Sequence, residues 1–276
     1  MASLIHQSSG WEADLSLGFQ WIDGKTVLSH RQRRGPLAVQ RPFYPEGGTC
    51  HVYVLHPPGG VVGGDTLAIT AELAPQAEVL VTTPGATKFY RSAGAVAKQI
   101  QTLSLSENAC LEWFPQENIY FPSANVQMET KINIKSSSRL ALWEFQCFGR
   151  PTINEIFDNG FVDSSIHITK EGKPIIIERL RFNDVTKDRL SLMASMPVTA
   201  TFVMNTFDES HLDAVRELLP NDVKQYFSAT VMDDFLVVRY LGDSTDFARR
   251  VFVSIWSSLR LCAFGKTATP PRIWNT

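Results

Sequence analysis

The chain has 276 residues, of which 44% are apolar and 20% are charged, and its formal net charge is −2. These values are typical of a folded globular protein and leave room for one large domain or two small ones. They disfavour a nucleic-acid-binding protein, which usually carries an excess of basic residues, and no apolar run reaches the roughly 20 residues of a membrane helix.

Short segments rich in Val, Ile, Thr and aromatic residues, separated by Gly, Pro, Asn and Ser, follow one another along most of the chain. This spacing predicts strands and favours an all-β sandwich, barrel or solenoid. No sequence repeat of fixed period is present, so a solenoid would be irregular. The predicted strands cover residues 14–21, 49–56, 66–73, 78–83, 96–105, 110–114, 126–135, 139–148, 161–168, 174–182, 198–207 and 234–241.

The first predicted helix covers residues 208–220. Ser210 precedes Asp213 by three positions, as in a capping box that opens a helix. An apolar stripe at helical spacing follows the proposed cap. The stripe consists of Leu212, Val215, Leu218 and Leu219.

The second predicted helix covers residues 244–265, begins at Ser244 or the next residue, and ends at Gly265. Its core stripe, at steps of four, consists of Phe247, Val251, Ile255 and Leu259. Phe252 and Trp256 lie about 100° round the helix from that stripe. They either widen the core-facing surface or form a second, exposed stripe that docks a helical partner, since aromatic residues are enriched at interfaces.

No low-complexity linker divides the chain, so we expect a single domain over residues 1–276. Its predicted class is mainly β, irregularly β-helical or sandwich-like, with a small helical portion near the C-terminus. At the N-terminus no basic start precedes an apolar core, so we expect no signal peptide. The cysteines are widely spaced and form no C-x-x-C pair, and three of the four lie in apolar-rich segments, which predicts buried reduced thiols and a cytoplasmic location. These cysteines are Cys50, Cys110, Cys147 and Cys262.

The stretch HPPGGVVGGDT, residues 56–66, resembles a phosphate-binding P-loop except that Asp65 replaces the lysine. A negative charge would repel the phosphates that the lysine normally neutralises, and the following residues alternate like a strand rather than a helix. We therefore interpret the stretch as a tight loop between two strands, in which Pro57 and Pro58 fix the backbone. Four glycines exceed what a plain hairpin needs, which predicts that another chain, or another part of this one, packs directly on the loop.

This glycine stretch opens a series of motifs in fixed order. The others are TTPGATKFYRS at 82–92, LEWFPQENIYF at 111–121, FGRP at 148–151 and PRIWN at 271–275. Each motif alone is modest, but the series resembles the family of the urease accessory protein UreD, called UreH in some bacteria, over nearly the whole chain. The resemblance implies a largely β fold that winds as an irregular β-solenoid, with a small α-helical portion.

The resemblance also implies a function without catalysis. Members of this family bind apo-urease and act as a scaffold between it and the accessory proteins UreF and UreG, of which UreG is a GTPase. Their assembly delivers nickel to the urease active site, whose bridging lysine becomes carbamylated. For this chain the resemblance implies a urease maturation factor with no tightly bound cofactor, which contacts nickel only transiently. From the charge balance and the lack of a long apolar run we expect neither nucleic acid nor a membrane as a partner.

Nickel accepts imidazole, carboxylate and thiolate ligands, and Cys50, His51 and His56 lie close together in the sequence. On an extended strand Cys50 and His56 share one face while His51 points to the other. Six residues of strand also span roughly 20 Å. These side chains cannot chelate one ion without a bend in the strand, so we do not expect a tight metal site there.

Three carboxylates, Glu112, Glu144 and Glu178, are surrounded by apolar residues of predicted strands. An isolated buried carboxylate is unfavourable and must neutralise or find a partner. One interpretation is therefore structural. Glu178 would pair with Arg179 or Arg181, and Glu144 would face solvent at a sheet edge, with Leu142 and Gln146 on its face.

The other interpretation is a wet internal path for nickel. Weak, successive contacts with carboxylates and water would let a divalent ion move without being trapped, as in channels. Together with Asp65 of the glycine loop, the candidates for this transient path are Asp65, Glu112, Glu144 and Glu178.

Two further functions stay open. The chain has neither of the hydrolase motifs G-x-S-x-G and H-E-x-x-H. A β-rich hydrolase could still use paired carboxylates in an open cleft. A plain interaction protein without a metal role is the remaining alternative. Lys88, Tyr90 and Arg91 are candidate anion or partner contacts in a turn, and the basic run at 31–34 is expected to be a solvated loop.

Overall fold

The computed structural model describes residues 10–186, 192–220 and 226–275. Strands account for 52% and helices for 14%, which confirms the mainly β class with a helical part near the C-terminus. The strands are β1 (Glu12–Ile22), β2 (Lys25–Arg34), β3 (Ala38–Val39), β4 (Cys50–Leu55), β5 (Thr66–Leu73), β6 (Glu78–Thr82), β7 (Thr87–Phe89), β8 (Ala97–Leu105), β9 (Cys110–Phe114), β10 (Asn118–Tyr120), β11 (Asn125–Ile134), β12 (Arg139–Arg150), β13 (Glu155–Ile156), β14 (Phe161–Lys170), β15 (Lys173–Asn183), β16 (Val198–Asn205), β17 (Tyr226–Met232) and β18 (Phe235–Gly242). The α-helices are α1 (Leu212–Glu217) and α2 (Thr245–Phe264).

From β4 to β14 the main strands alternate between two sheets. A seven-stranded sheet has the order β15-β14-β11-β8-β5-β1-β2. An eleven-stranded sheet follows the path β17-β18-β16-β12-β9-β6-β4-β3, and off this path β10 and β13 pair with β12 while β7 pairs with β10. The strands β5, β8, β11 and β14 are parallel in the first sheet, as are β4, β6, β9 and β12 in the second. The chain therefore winds as a solenoid with one strand per sheet in each coil, and antiparallel strands close its ends.

Two apolar layers hold this arrangement together. The first lies between the sheets and includes alternate residues of β1 and β6, such as Leu15 and Val79. The second lies between the outer face of the eleven-stranded sheet and α2, and includes Trp143, Phe145 and Phe202. Because α2 covers that outer face, β12 is buried on both of its faces, which explains the almost unbroken burial along this strand.

Helix α2 has the predicted ends. The Ser244 hydroxyl accepts a hydrogen bond from the Phe247 N–H at the N-terminus, and Gly265 adopts the left-handed conformation at the C-terminus. Phe252 and Trp256 are fully buried against the eleven-stranded sheet. They widen the core-facing surface, so the interpretation of an exposed docking stripe is wrong.

The first predicted helix is shorter and begins differently. A 3-10 turn over Glu209–His211 precedes α1. Its cap is Asp208, whose carboxylate accepts the Ser210 N–H at 2.9 Å. The predicted capping box of Ser210 with Asp213 is therefore wrong, because an aspartate two residues upstream already opens the turn.

The basic run at 31–34 is part of the strand β2, not a solvated loop. β2 pairs with β1 at the edge of the seven-stranded sheet. From Ser29 onward each residue of β2 is exposed. Apolar alternation, the signal that predicts a strand, is consequently absent from this half of β2.

The cysteines are free thiols, and Cys50, Cys110 and Cys147 are buried as predicted, whereas Cys262 is exposed. Burial raises the pKa of Cys50 to about 11 and that of Cys147 to about 12. These two thiols therefore stay protonated at neutral pH. Within the described residues, no helix has the length and apolar character needed to cross a membrane.

Candidate functional site

The glycine stretch forms the loop between β4 and β5, so a strand follows it rather than the helix of a P-loop. Gly64 has a φ of 96°, a conformation that favours glycine. A Cβ atom on Gly60 would lie 2.1 Å from the Tyr90 ring, and one on Gly63 would lie 2.2 Å from the Ser92 hydroxyl oxygen. Another part of the same chain therefore packs directly on the loop, which confirms the prediction made from the number of glycines.

Asp65 holds this loop in shape. Its Oδ1 accepts the Trp11 N–H at 2.8 Å and its Oδ2 accepts the Val62 N–H at 3.0 Å. These bonds join the loop to itself and to the residue that precedes β1. Burial lowers the pKa of the neighbouring His56, and the negative charge of Asp65 opposes that shift.

A cavity of about 300 Å³ lies beside the glycine loop, with walls from both sheets. His56, Gly59 and Gly60 contribute to its wall at the loop, as does the segment 82–88, which includes Lys88. Much of the wall is apolar, from Val54, Leu67, Ile69, Trp113, Met128 and Leu142. The polar groups farther along it are Gln99, Gln101, Asn118, Thr130 and Glu144. Among the described residues of this wall, Glu144 is the one carboxylate.

Glu144 faces the interior of the protein. Leu142 and Gln146 share its face, as alternation predicts, but Leu142 belongs to the apolar layer between the sheets. Glu144 is only 8% exposed. The expectation that it faces solvent at a sheet edge is wrong, because β12 lies inside its sheet between β9 and β16 and its other face is covered by α2.

The hydrogen bonds of Glu144 are all with neutral groups. Its Oε1 accepts the Gln146 side-chain amide and the Ser164 hydroxyl, the latter at 3.1 Å, while the Tyr120 hydroxyl donates to Gln146. Within the described parts of the chain no lysine or arginine forms an ion pair with it. Burial raises the pKa of Glu144 to about 7, although the two hydrogen bonds act in the opposite direction. The carboxyl group is therefore divided between its neutral and charged forms near neutral pH.

Glu112 points away from the cavity, toward α2. Arg260 of α2 donates to both of its carboxylate oxygens, at 3.0 and 2.7 Å, and the Trp256 indole N–H donates at 2.6 Å. The same guanidinium group binds Glu46, which also contacts His51 at 2.5 Å. Burial raises the pKa of Glu46, but hydrogen bonds from His51 and Arg260 outweigh it and lower the pKa. This buried network fastens α2 to β9 and to the segment before β4.

Glu178 lies on the edge strand β15 and forms a salt bridge with Arg239 of β18, in the other sheet. The structural interpretation correctly expected a salt bridge but named the wrong partner. Arg179 and Arg181 both bind Asp163 instead, at 2.6 and 3.4 Å. Glu178 therefore links the two sheets at one end of the solenoid.

The four candidate carboxylates do not form one cluster. Glu144 lines the cavity and Asp65 belongs to the loop that forms part of its wall, whereas Glu112 and Glu178 are held by arginines elsewhere. A path that uses all four stays a prediction. The polar residues Gln99 and Gln101, which the sequence analysis passed over, line the same cavity. Gln99 and Gln101 lie at alternate positions with Leu103 on the inward face of β8, and this alternation in the sequence indicates that both glutamines point inward.

No tight metal site is present in the described residues, since no group of three or more His, Cys, Asp or Glu side chains could hold an ion. Cys50 lies in the apolar layer between the sheets. His51 faces Glu46 on the opposite side of β4, and His56 lies at the cavity. Cys50 and His51 therefore point to opposite faces of β4, as strand alternation predicts.

Comparison with known proteins gives a consistent result. The family profile described as UreD urease accessory protein matches residues 12–275. A protein named urease accessory protein UreD from Klebsiella aerogenes is 44% identical over 267 residues, covering 97% of this chain and 97% of its own length. Proteins of the same name from Alcanivorax borkumensis and Aliivibrio fischeri are 43% and 40% identical, covering 97% and 100% of this chain and 93% and 100% of their own lengths.

Proposed function

The chain belongs to the UreD family of urease accessory proteins and has a role in urease maturation, and from this premise we propose that it is a non-enzymatic scaffold for nickel insertion. It binds apo-urease together with UreF, and through that complex it acts with the GTPase UreG. The observation that carries this proposal is the family match over residues 12–275, with relatives that align over almost their entire length.

Nickel is cargo in this proposal, and it passes through the cavity beside the glycine loop. Glu144 supplies a carboxylate oxygen inside the wall, and the side-chain carbonyls of Gln99 and Gln101 supply neutral oxygen atoms. One carboxylate that is partly protonated near neutral pH binds a divalent ion weakly. Weak binding suits passage, because an ion that is held tightly leaves slowly.

The remaining candidate acids have different roles in this proposal. Asp65 shapes the loop at the cavity and places a negative charge near His56. Glu112 and Glu178 serve as partners of Arg260 and Arg239, and we assign them no contact with nickel.

A hydrolase that uses paired carboxylates is the competing function. It requires two acids that face one cleft, roughly 5 to 10 Å apart. The described wall of the cavity contains Glu144 as its carboxylate, and its neutral partners Gln146 and Ser164 are not acids. This lining favours the scaffold over the hydrolase.

Co-expression with apo-urease tests the scaffold directly. The tagged chain, purified with UreF present and absent, should retain apo-urease through affinity and size-exclusion chromatography. Adding UreG should enlarge the complex. A chain that is folded by circular dichroism but retains no urease under either condition would overturn the proposal.

A further inference from the structure

A second cleft, of about 560 Å³, lies beside the edge strand β2. Val27 and Leu28 of β2 provide apolar surface, and Arg31 and Arg41 line the same cleft. Across it stands Tyr44, whose ring lies 5.3 Å from the Lys25 ammonium group. The described lining of this cleft contains no acidic residue, so it combines apolar and positively charged side chains.

The register of β2 places Arg31, which lines the cleft, and Arg33, two residues farther along the strand, on one face. Arg31 lies opposite Leu17 of β1, and Arg33 lies opposite Leu15. Both leucines are buried in the layer between the sheets. Directly paired residues share a face of the sheet. The two arginines therefore lie on the same face as these core leucines, but at the edge of the sheet, where the other sheet no longer covers that face.

The positive charge of this surface is largely uncompensated. Arg34 forms a salt bridge with Glu12 at 2.8 Å. In the described part of the chain, no acidic residue forms a salt bridge with Arg31, Arg33 or Arg41. The chain as a whole carries a net charge of −2. These guanidinium groups therefore make this surface positive on a protein that is slightly negative overall.

The outer edge of β2 is also available for pairing. β1 occupies one side of the strand, and on the other side the Thr26 N–H donates to the Gly48 carbonyl at 2.8 Å. Beyond Thr26, none of the described strands pairs with that side. Such an edge offers unpaired N–H and C=O groups to an extended peptide.

We propose that this surface binds an acidic segment of a partner protein in extended conformation. The segment adds as a strand to the outer edge of β2, and its carboxylates bind Arg31, Arg33 and Arg41. A guanidinium group suits this role because its planar fork matches a carboxylate with two parallel hydrogen bonds. Val27, which lies opposite Gln20 on the other face of β2, accepts one of the apolar side chains that alternate with the acids.

Edge strands also carry charges simply to prevent aggregation, and that role does not depend on the sign of the charge. Replacing the arginines with glutamates therefore separates the two roles. The triple variant Arg31→Glu/Arg33→Glu/Arg41→Glu keeps a charged edge but repels an acidic peptide. Its control is Arg216→Glu/Arg250→Glu, which reverses two exposed arginines on α1 and α2.

The probe is a fluorescently labelled ten-residue peptide that alternates glutamate and valine. Binding to the full chain is followed by anisotropy at two salt concentrations. The native chain and the control variant should bind it, more weakly at high salt, and the triple variant should bind at least ten-fold more weakly. A lysine–valine peptide should not bind. Backbone amides of residues 29–34 should gain protection from hydrogen exchange when the acidic peptide is present.

Several results would overturn the proposal. These are no binding of the acidic peptide to the native chain, equal binding by the triple variant, or displacement of the peptide by millimolar inorganic phosphate alone. Equal affinity for a glutamate–valine peptide with N-methylated backbone would show charge attraction without strand pairing, and would also refute it. The assay contains no urease component, so its outcome is independent of the proposed role in urease maturation.

Discussion

Glu144 should make the protein less stable as the pH rises from about 4.5 to about 7. The ordinary pKa of a glutamate is 4.5, and burial raises that of Glu144 to about 7. Between these values the folded protein binds more protons than the unfolded chain, so the free energy of unfolding falls with increasing pH. The difference between 4.5 and about 7 corresponds to roughly 3 kcal/mol once the pH exceeds both values.

The substitution Glu144→Gln removes this titration while preserving the size and an oxygen acceptor. At pH 8 the variant should be more stable than the native protein by up to roughly 3 kcal/mol, and at pH 5 the two should be nearly equal. Urea unfolding followed by tryptophan fluorescence at pH 5, 6, 7 and 8 measures the difference.

Glu155→Gln is the control, because Glu155 forms a partly exposed salt bridge with Arg150 and its pKa is lowered by that contact. It should leave the pH dependence between 5 and 8 unchanged. If Glu144→Gln shows the same pH dependence as the native protein over this range, the pKa of Glu144 is not raised by burial.

Three further predictions use the midpoint of urea unfolding as their readout. Arg260→Met leaves Glu112 buried without its cation and should lower the free energy of unfolding by about 3–5 kcal/mol. The double variant with Glu112→Leu should recover part of that loss, and no recovery would argue against the pairing. Gly149→Ala should lower the free energy of unfolding clearly more than Gly59→Ala. Both glycines have positive φ, but only at Gly149 would the new Cβ lie 2.2 Å from a backbone oxygen. Equal losses would refute the close approach. Ser244→Ala should cost about 1 kcal/mol through loss of the α2 cap, and an unchanged midpoint would show that the hydroxyl bond contributes nothing.

Local patterns were sufficient to predict much of the fold. β5 and β8 alternate cleanly because one face of each is buried and the other partly exposed, and α2 carries a cap and a terminator in its own sequence. β2 escaped prediction for the opposite reason. It extends beyond the core at the sheet edge, so its second half has no apolar face to reveal.

The candidate site depended on contacts that no local pattern contains. Alternation correctly grouped Glu144 with its neighbours on β12, but whether that face meets solvent depends on the seven-stranded sheet, whose Ser164 on β14 contacts Glu144. Glu112 meets Arg260, 148 residues away in the sequence, and Glu178 meets Arg239, 61 residues away. Only the folded chain shows that two of the candidate acids are neutralised by arginines.

The most direct measurement of the central proposal is the nickel content of urease matured in the complex. Urease is co-expressed with UreF, UreG and either the native chain, Glu144→Gln, Glu144→Asp or the control Glu155→Gln. Complex yield is quantified beside nickel per active site. We expect equal complex yields, a several-fold loss of nickel with Glu144→Gln, and nickel near the native level with Glu144→Asp and Glu155→Gln. Full nickel content with Glu144→Gln at equal complex yield would contradict passage of the ion along Glu144.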